Sequence, residues 1–304
     1  MLRELDLNAD APPPGAEGYA EFELDFEQAL QRQLGPFFDK LPALELTPEN
    51  INKVVATGAR GAYYLLHSNE IVYIGKSDAK RGLKVRLLRH YKTLKRRKSI
   101  DWQQMKFKAV KVSSLAALDT ESLLLELYKR KAKALGGAQR PEWNFSGFGS
   151  NDPGTERDTQ RVSVFDQRYP LDLDATLELD NEAKGQEANN LAEYLKWLTP
   201  QLLFTFRRDK TVEPATSLER VPADFNEMTK DRSLRGLFLA IHAQLPARWV
   251  LTILRGKALL YLDDNKPYKA PLWRLAAQET PTEPDYASTD FGEAGDDEGT
   301  EEPA

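Results

Sequence analysis

Gly61-Ala62-Tyr63-Tyr64-Leu65-Leu66-His67-Ser68-Asn69-Glu70-Ile71-Val72-Tyr73-Ile74-Gly75-Lys76 reads as two apolar, tyrosine-rich strands joined by the polar turn Ser68-Asn69-Glu70. That is the pattern of a β-hairpin. Tyr63 and Tyr73 lie ten positions apart, so in the simplest register both phenols reach one face near the open end of the hairpin. Aromatic residues fill sheet faces for packing alone. The pair therefore gains meaning only from what surrounds it.

Downstream, the loop Lys76 to Gly82 leads into Leu83 to Lys98, where Val85, Leu87, Leu88, Tyr91 and Leu94 recur at helical spacing. Arg86 and His90 are four apart on this helix, which stacks them on one face. Met105 to Val112 alternates apart from a slip at Ala109-Val110 and reads as a strand. Ser113 or Ser114 caps a helix running from Leu115 to about Leu135, closed by Gly136-Gly137. The order is strand, strand, helix, strand, helix.

Upstream, residues 1–20 carry Pro12-Pro13-Pro14-Gly15 and read as a mobile arm. Phe22 to Leu34 has helical spacing and is expected to stop at Gly35-Pro36. Thr47 is the N-cap and Pro48 the first residue of a short helix reaching Gly58. Beyond Pro170 the pattern predicts a helix within Gly185–Phe206, another over Leu234–Leu245, and a hairpin of Trp249–Leu254 with Ala258–Leu262. The expected organisation is an arm and helix (1–46), a first domain (47–170), a small α+β domain (171–276) and a disordered acidic tail (277–304). The fold class is α+β.

With 41% apolar and 29% charged residues, the composition is that of a soluble globular protein, and 304 residues suit two domains. No apolar run approaches the roughly 18 residues of a membrane span, and Met1-Leu2-Arg3-Glu4-Leu5-Asp6 lacks a signal-peptide core. A cytoplasmic location is expected. There is no cysteine, and His67, His90 and His242 are scattered. A metal would therefore rest on carboxylates, which suits Mg²⁺ or Mn²⁺. The net charge of −5 hides an asymmetry: Lys76 to Lys111 carries fourteen Lys/Arg against Asp78 and Asp101, and Gln278 to Ala304 carries ten Asp/Glu and no Lys/Arg. Such a basic stretch fits a nucleic-acid surface.

The pattern Gly-x-Tyr, then Tyr-Ile-Gly after about ten residues, with the elements in this order, resembles the GIY-YIG nuclease superfamily. Ala62 stands where that family usually has Ile, a packing position. Glu121-Ser122-Leu123-Leu124-Leu125-Glu126 is similar to the acidic helix of the excision-repair members, in which the second Glu is the metal ligand. Pro141-Glu142-Trp143-Asn144 is similar to the segment that closes the domain. Gly147-Phe148-Gly149, Asp152-Pro153-Gly154 and Arg157 resemble the type II restriction-enzyme branch.

The resemblance covers roughly residues 50–170 and implies a GIY-YIG core, a small central sheet flanked by helices in ββαβα order. It implies a Mg²⁺-dependent DNA endonuclease acting in defence against phage DNA, with catalytic residues Tyr63, Tyr73, Arg86, His90, Glu126 and Asn144. Glu126 is the expected metal ligand, with Glu121 second. Arg86 offers a charged fork to phosphate oxygens, Tyr63 orients or deprotonates water, His90 takes a proton from Tyr63 or binds phosphate, and Asn144 braces the site. Lys76, Lys80, Arg81, Arg89, Lys95, Arg96 and Arg97 are expected to contact the backbone of double-stranded DNA. Cutting both strands with one site per chain implies a homodimer. Two other readings are a nuclease subunit gated by partners through residues 171–276, and a DNA-binding protein with an inactive site.

Overall fold

A computed structural model describes residues 26–77, 82–112, 120–134, 137–138, 140–149, 158–159, 161–210 and 212–292. The hairpin is its centre. Strand β2 (Gly61–His67) and strand β3 (Glu70–Lys76) are joined by Ser68 and Asn69, both in the left-handed region at φ 50° and 70°. Two such residues make the two-residue turn whose twist matches a hairpin. Glu70 thus belongs to β3 rather than to the turn. The register sets Tyr63 opposite Gly75 and Leu65 opposite Tyr73, so both phenols share one face, as expected.

Around the hairpin the first sheet has the order β1 (Leu44–Glu45), β4 (Met105–Lys111), β2, β3. Helix α1 (Phe26–Lys40) precedes it, and helix α2 (Pro48–Val54) starts as expected, with Asn50 N–H donating to the Thr47 hydroxyl at 3.2 Å. It ends at Val54, short of Gly58. Helix α3 (Gly82–Leu94) covers the face bearing Tyr63 and Tyr73, burying Leu83, Leu87 and Leu94 with them. Helix α4 (Thr120–Ala134) covers the other face, where Leu123 and Leu124 pack with Tyr64, Leu66 and Ile74.

Two expectations about the chain's edges are corrected. Helix α1 runs through Gly35-Pro36 instead of stopping there. Its far end is held by Phe38, fully buried and stacked on Tyr64 at 4.2 Å, while Gly35 lies where a Cβ would sit 3.2 Å from Leu127. Tertiary packing outweighs the backbone hydrogen bond that Pro36 removes.

The second half is also mixed α and β. Helices α5 (Val164–Arg168), α6 (Glu182–Gln186), α7 (Leu191–Leu198), α8 (Phe225–Lys230) and α9 (Leu234–Gln244) accompany a second sheet of order β5-β7-β6-β8. Its strands are β5 (Thr205–Arg208), β6 (Trp249–Ile253), β7 (Lys257–Leu262) and β8 (Trp273–Ala276), with β5 parallel to β7 and the rest antiparallel. Leu191, Leu195 and Leu198 of α7 face Leu237, Phe238 and Ile241 of α9 and the inner residues Leu251 and Leu260 in one core. The expected hairpin is β6–β7.

Residues 277–292 were expected to be disordered, and they are laid along the joint between the halves. Tyr286 Oη donates to Leu171 O at 2.9 Å and accepts from Leu173 N–H, Arg255 donates to Tyr286 O and Ser288 O, and its guanidinium lies 4.9 Å from the Phe291 ring. Two aromatic anchors and a buried cation in need of acceptors hold this strap, which net acidity alone did not reveal. Residues 1–25, where an arm was expected, residues 113–119, where the second helix was expected to begin, and residues 150–157 and 293–304 lie outside the described residues.

Candidate active site

Gly75 decides how close the two phenols come. A Cβ there would sit 2.5 Å from Tyr63 Oη and 2.7 Å from Tyr73 Cε1. Only glycine lets both rings lie over the strand. The rings are then 6.1 Å apart, and helix α3 lowers His90 onto them, 5.5 Å from Tyr63 and 5.6 Å from Tyr73. Tyr63 Oη and His90 Nε2 are 2.7 Å apart, and Arg86 Nε–H donates to the same phenol oxygen at 3.2 Å. The expected i, i+4 pairing of Arg86 with His90 thus converges on Tyr63.

Asn144 grips the backbone of Ile74, the residue after Tyr73, accepting from Ile74 N–H and donating to Ile74 O, each at 2.9 Å. It is a brace. The loop that follows closes the site: Phe148 stacks on His90 at 4.9 Å and meets Tyr73 edge-on at 5.0 Å, and Gly149 O accepts from Arg86 at 3.2 Å. Phe148 and Gly149 were quoted in the sequence for resemblance, and their contact with the site needed the fold.

Burial dominates the electrostatics. It pushes the Tyr63 phenol far above its ordinary range, with Tyr73 adding to the rise and Arg86 opposing it, and it raises Tyr73, with Glu121 adding. Burial also holds His90 well below its usual value, helped by the Arg86 and Arg89 charges. His90 is therefore a neutral imidazole that can only lose by gaining a proton. Because the unfolded histidine titrates near 6.5 and the folded one far lower, the unfolded state takes up the proton first as pH falls. Stability contributed by neutral His90 is full above pH 6.5 and should decline below it by up to about 1.4 kcal/mol per pH unit. Chemical denaturation at several pH values should show that decline between pH 6.5 and 5, and His90→Gln should flatten it.

Glu126 does not join this cluster. Its carboxylate is 54% exposed and lies 3.9 Å from Lys129 one turn along α4. After burial, which raises both phenols, and against Arg86, which lowers them, Glu121 in the first turn of α4 adds to the rise of each. At about 100° per residue the two carboxylates stand about 140° apart, on opposite flanks of the buried pair Leu123-Leu124. Among the described residues no three His, Asp or Glu side chains converge. A single carboxylate would suit Mg²⁺, an ion that keeps several waters and takes few protein ligands.

The basic run has another task than expected. Lys95 binds Glu178 at 2.6 Å. Arg96 is buried and donates to Gln201 O and Leu202 O at 3.0 and 2.9 Å. Arg97 donates to Asp166 at 2.6 Å, Tyr169 O at 2.8 Å and Arg255 O at 3.2 Å. These three residues join the two halves; the Arg96 and Arg97 side chains are buried on protein acceptors, and Lys95 stays partly exposed in its ion pair. Lys76 and Arg89 are exposed beside the site, and Lys80 and Arg81 lie outside the described residues.

No protein-family model matches the chain, and no curated protein is similar to it at a significant level. Among the described residues no helix is long and apolar enough to cross a membrane.

Proposed function

We propose that this protein is a Mg²⁺-dependent DNA endonuclease of the GIY-YIG kind, resembling type II restriction enzymes and acting against foreign DNA. The observation that carries the reading is the Tyr63 phenol held between a neutral imidazole at 2.7 Å and a guanidinium at 3.2 Å. A core tyrosine needs one hydrogen-bond partner. A phenol with a proton acceptor on one side and a fixed cation on the other is arranged for proton transfer next to an anion.

In the arrangement that satisfies every group, Arg86 Nε–H donates to the Tyr63 oxygen, and Tyr63 O–H donates to His90 Nε2. Neither phenolate nor imidazolium is cheap here, because burial penalises both. A concerted relay avoids the phenolate: the proton of the attacking water passes to Tyr63 as the phenol proton passes to His90, the water oxygen bonds phosphorus, the P–O3′ bond breaks, and the departing O3′ takes a proton from solvent to become the 3′-hydroxyl. The positive charge left on His90, together with Arg86, faces the negative charge that grows on the phosphorane oxygens. Tyr73 stands beside Tyr63 to hydrogen-bond the phosphate or the water. Glu121 would hold the Mg²⁺, which supplies charge relief on the phosphate and on the leaving oxygen.

The ends produced are 5′-phosphate and 3′-hydroxyl, and double-strand cutting implies two chains on a two-fold site. Incubating the full chain with plasmid and phage DNA in Mg²⁺, then sequencing the ends, tests this. The expected result is defined 5′-phosphorylated ends that disappear in EDTA. Binding without cleavage in both Mg²⁺ and Mn²⁺ would leave a DNA-binding protein, and the nuclease reading would be abandoned.

A further inference from the structure

The loop that closes the site carries one residue the chemistry above does not use. Phe145 is 69% exposed, the most exposed of the large apolar side chains among the described residues. Its φ of 64° lies in the left-handed region, which costs a bulky aromatic free energy. Exposure means that burial does not offset that cost.

The backbone on each side explains why the residue cannot relax. Trp143 N–H donates to Val72 O at 2.8 Å, Asn144 is bonded twice to Ile74, Ser146 Oγ donates to Trp143 O at 2.7 Å, and Ser146 O accepts from Phe165 N–H at 2.8 Å. The ring is thus made to project from between two anchored residues, and the Arg140 guanidinium lies over it at 4.8 Å. A rigid aromatic face with a cation on it matches a nucleobase and its phosphate, and base–aromatic stacking is a sequence-tolerant source of affinity. The same loop supplies Asn144, Phe148 and Gly149 to the catalytic cluster.

We propose that Phe145 wedges against a base of the duplex next to the scissile phosphate, unstacking it from its neighbour, with Arg140 closing on the adjoining backbone. This deepens the nuclease reading and rests on it. The test uses the full chain in EDTA and a duplex containing the mapped cleavage site, with 2-aminopurine beside the scissile bond. Wild-type binding should change the 2-aminopurine emission. Phe145→Ala and Phe145→Gly should lose that change at saturation and bind about tenfold or more weakly. Phe145→Trp should restore both, and Phe145→Leu, which is apolar without a π face, should not.

Phe145→Gly should also melt at the same or a higher temperature, since glycine adopts this φ freely, so its weaker binding cannot be unfolding. Wild-type affinity and emission in Phe145→Ala, or equal behaviour of the Leu and Trp variants, would overturn the stacking role while plasmid cleavage stood. A wild-type chain that neither binds nor cuts DNA would remove the parent reading and this one with it.

Discussion

Replacing Glu121 by Gln should lower Mg²⁺-dependent cleavage by about a thousandfold, whereas Glu126→Gln should leave it within about twofold of wild type. The first figure follows from several kcal/mol of transition-state charge relief that a metal provides, at about 1.4 kcal/mol per factor of ten. The second follows from position, since Glu126 is 54% exposed and engaged with Lys129 3.9 Å away. Neither substitution should unfold the helix, because Gln is as good a helix former as Glu. Single-turnover cleavage of a defined duplex, measured beside melting curves, separates the two. The reverse pattern, loss in Glu126→Gln and activity in Glu121→Gln, would return the metal to the position the resemblance favours.

That choice between two carboxylates shows where the sequence stopped. The spacing of Tyr63 and Tyr73, the polar turn, the Thr47 cap and the Arg86–His90 pair are local features, set within one strand pair or one helix, and local geometry follows from local residues. The phase of α4 is different, because it depends on which stripe the sheet buries, and Leu123-Leu124-Leu125 leaves that open until Leu123 and Leu124 are seen to be the buried pair. The basic run fails as a guide for a related reason. Charge shows that Arg96 and Arg97 need acceptors, but not whether these are phosphates or the carbonyls of Leu202 and Tyr169 and the carboxylate of Asp166. The tail misled through composition: Tyr286 and Phe291 are only two anchors among acidic residues, and they suffice because Lys98 and Arg255 await them, at 4.1 Å and 4.9 Å.

The joint made by these residues leads to the second large effect. Asp166→Ala should destabilise the chain by about 2–4 kcal/mol, slightly below the usual cost of breaking a buried ion pair because the carboxylate keeps some exposure. Arg97 is 8% exposed and Asp166 23%, at 2.6 Å. Gly256 passes so close that a Cβ there would collide with the same carboxylate. With about 2–4 °C lost per kcal/mol for a domain of 150–250 residues, the melting temperature should fall by about 4–16 °C. Pairing Asp166→Ala with Arg97→Met should recover part of that loss, since no unpaired charge then stays buried.

The consequence reaches the Tyr63–His90 cluster through packing. Phe165, beside Asp166 and 5.2 Å from the Arg97 guanidinium, lies 4.7 Å from Phe148, the ring stacked on His90. Asp166 also accepts from Ser163 Oγ at 2.8 Å, and Ser163 is the residue a Cβ on Gly147 would strike. Loosening this contact should let water reach His90, and its protonation should return toward the ordinary histidine range. The surviving folded fraction of Asp166→Ala should then lose cleavage at mildly acidic pH, where wild type does not. An unchanged melting temperature would show that the joint contributes no stability through Asp166, and an unchanged pH profile in a destabilised variant would confine its role to holding the halves together.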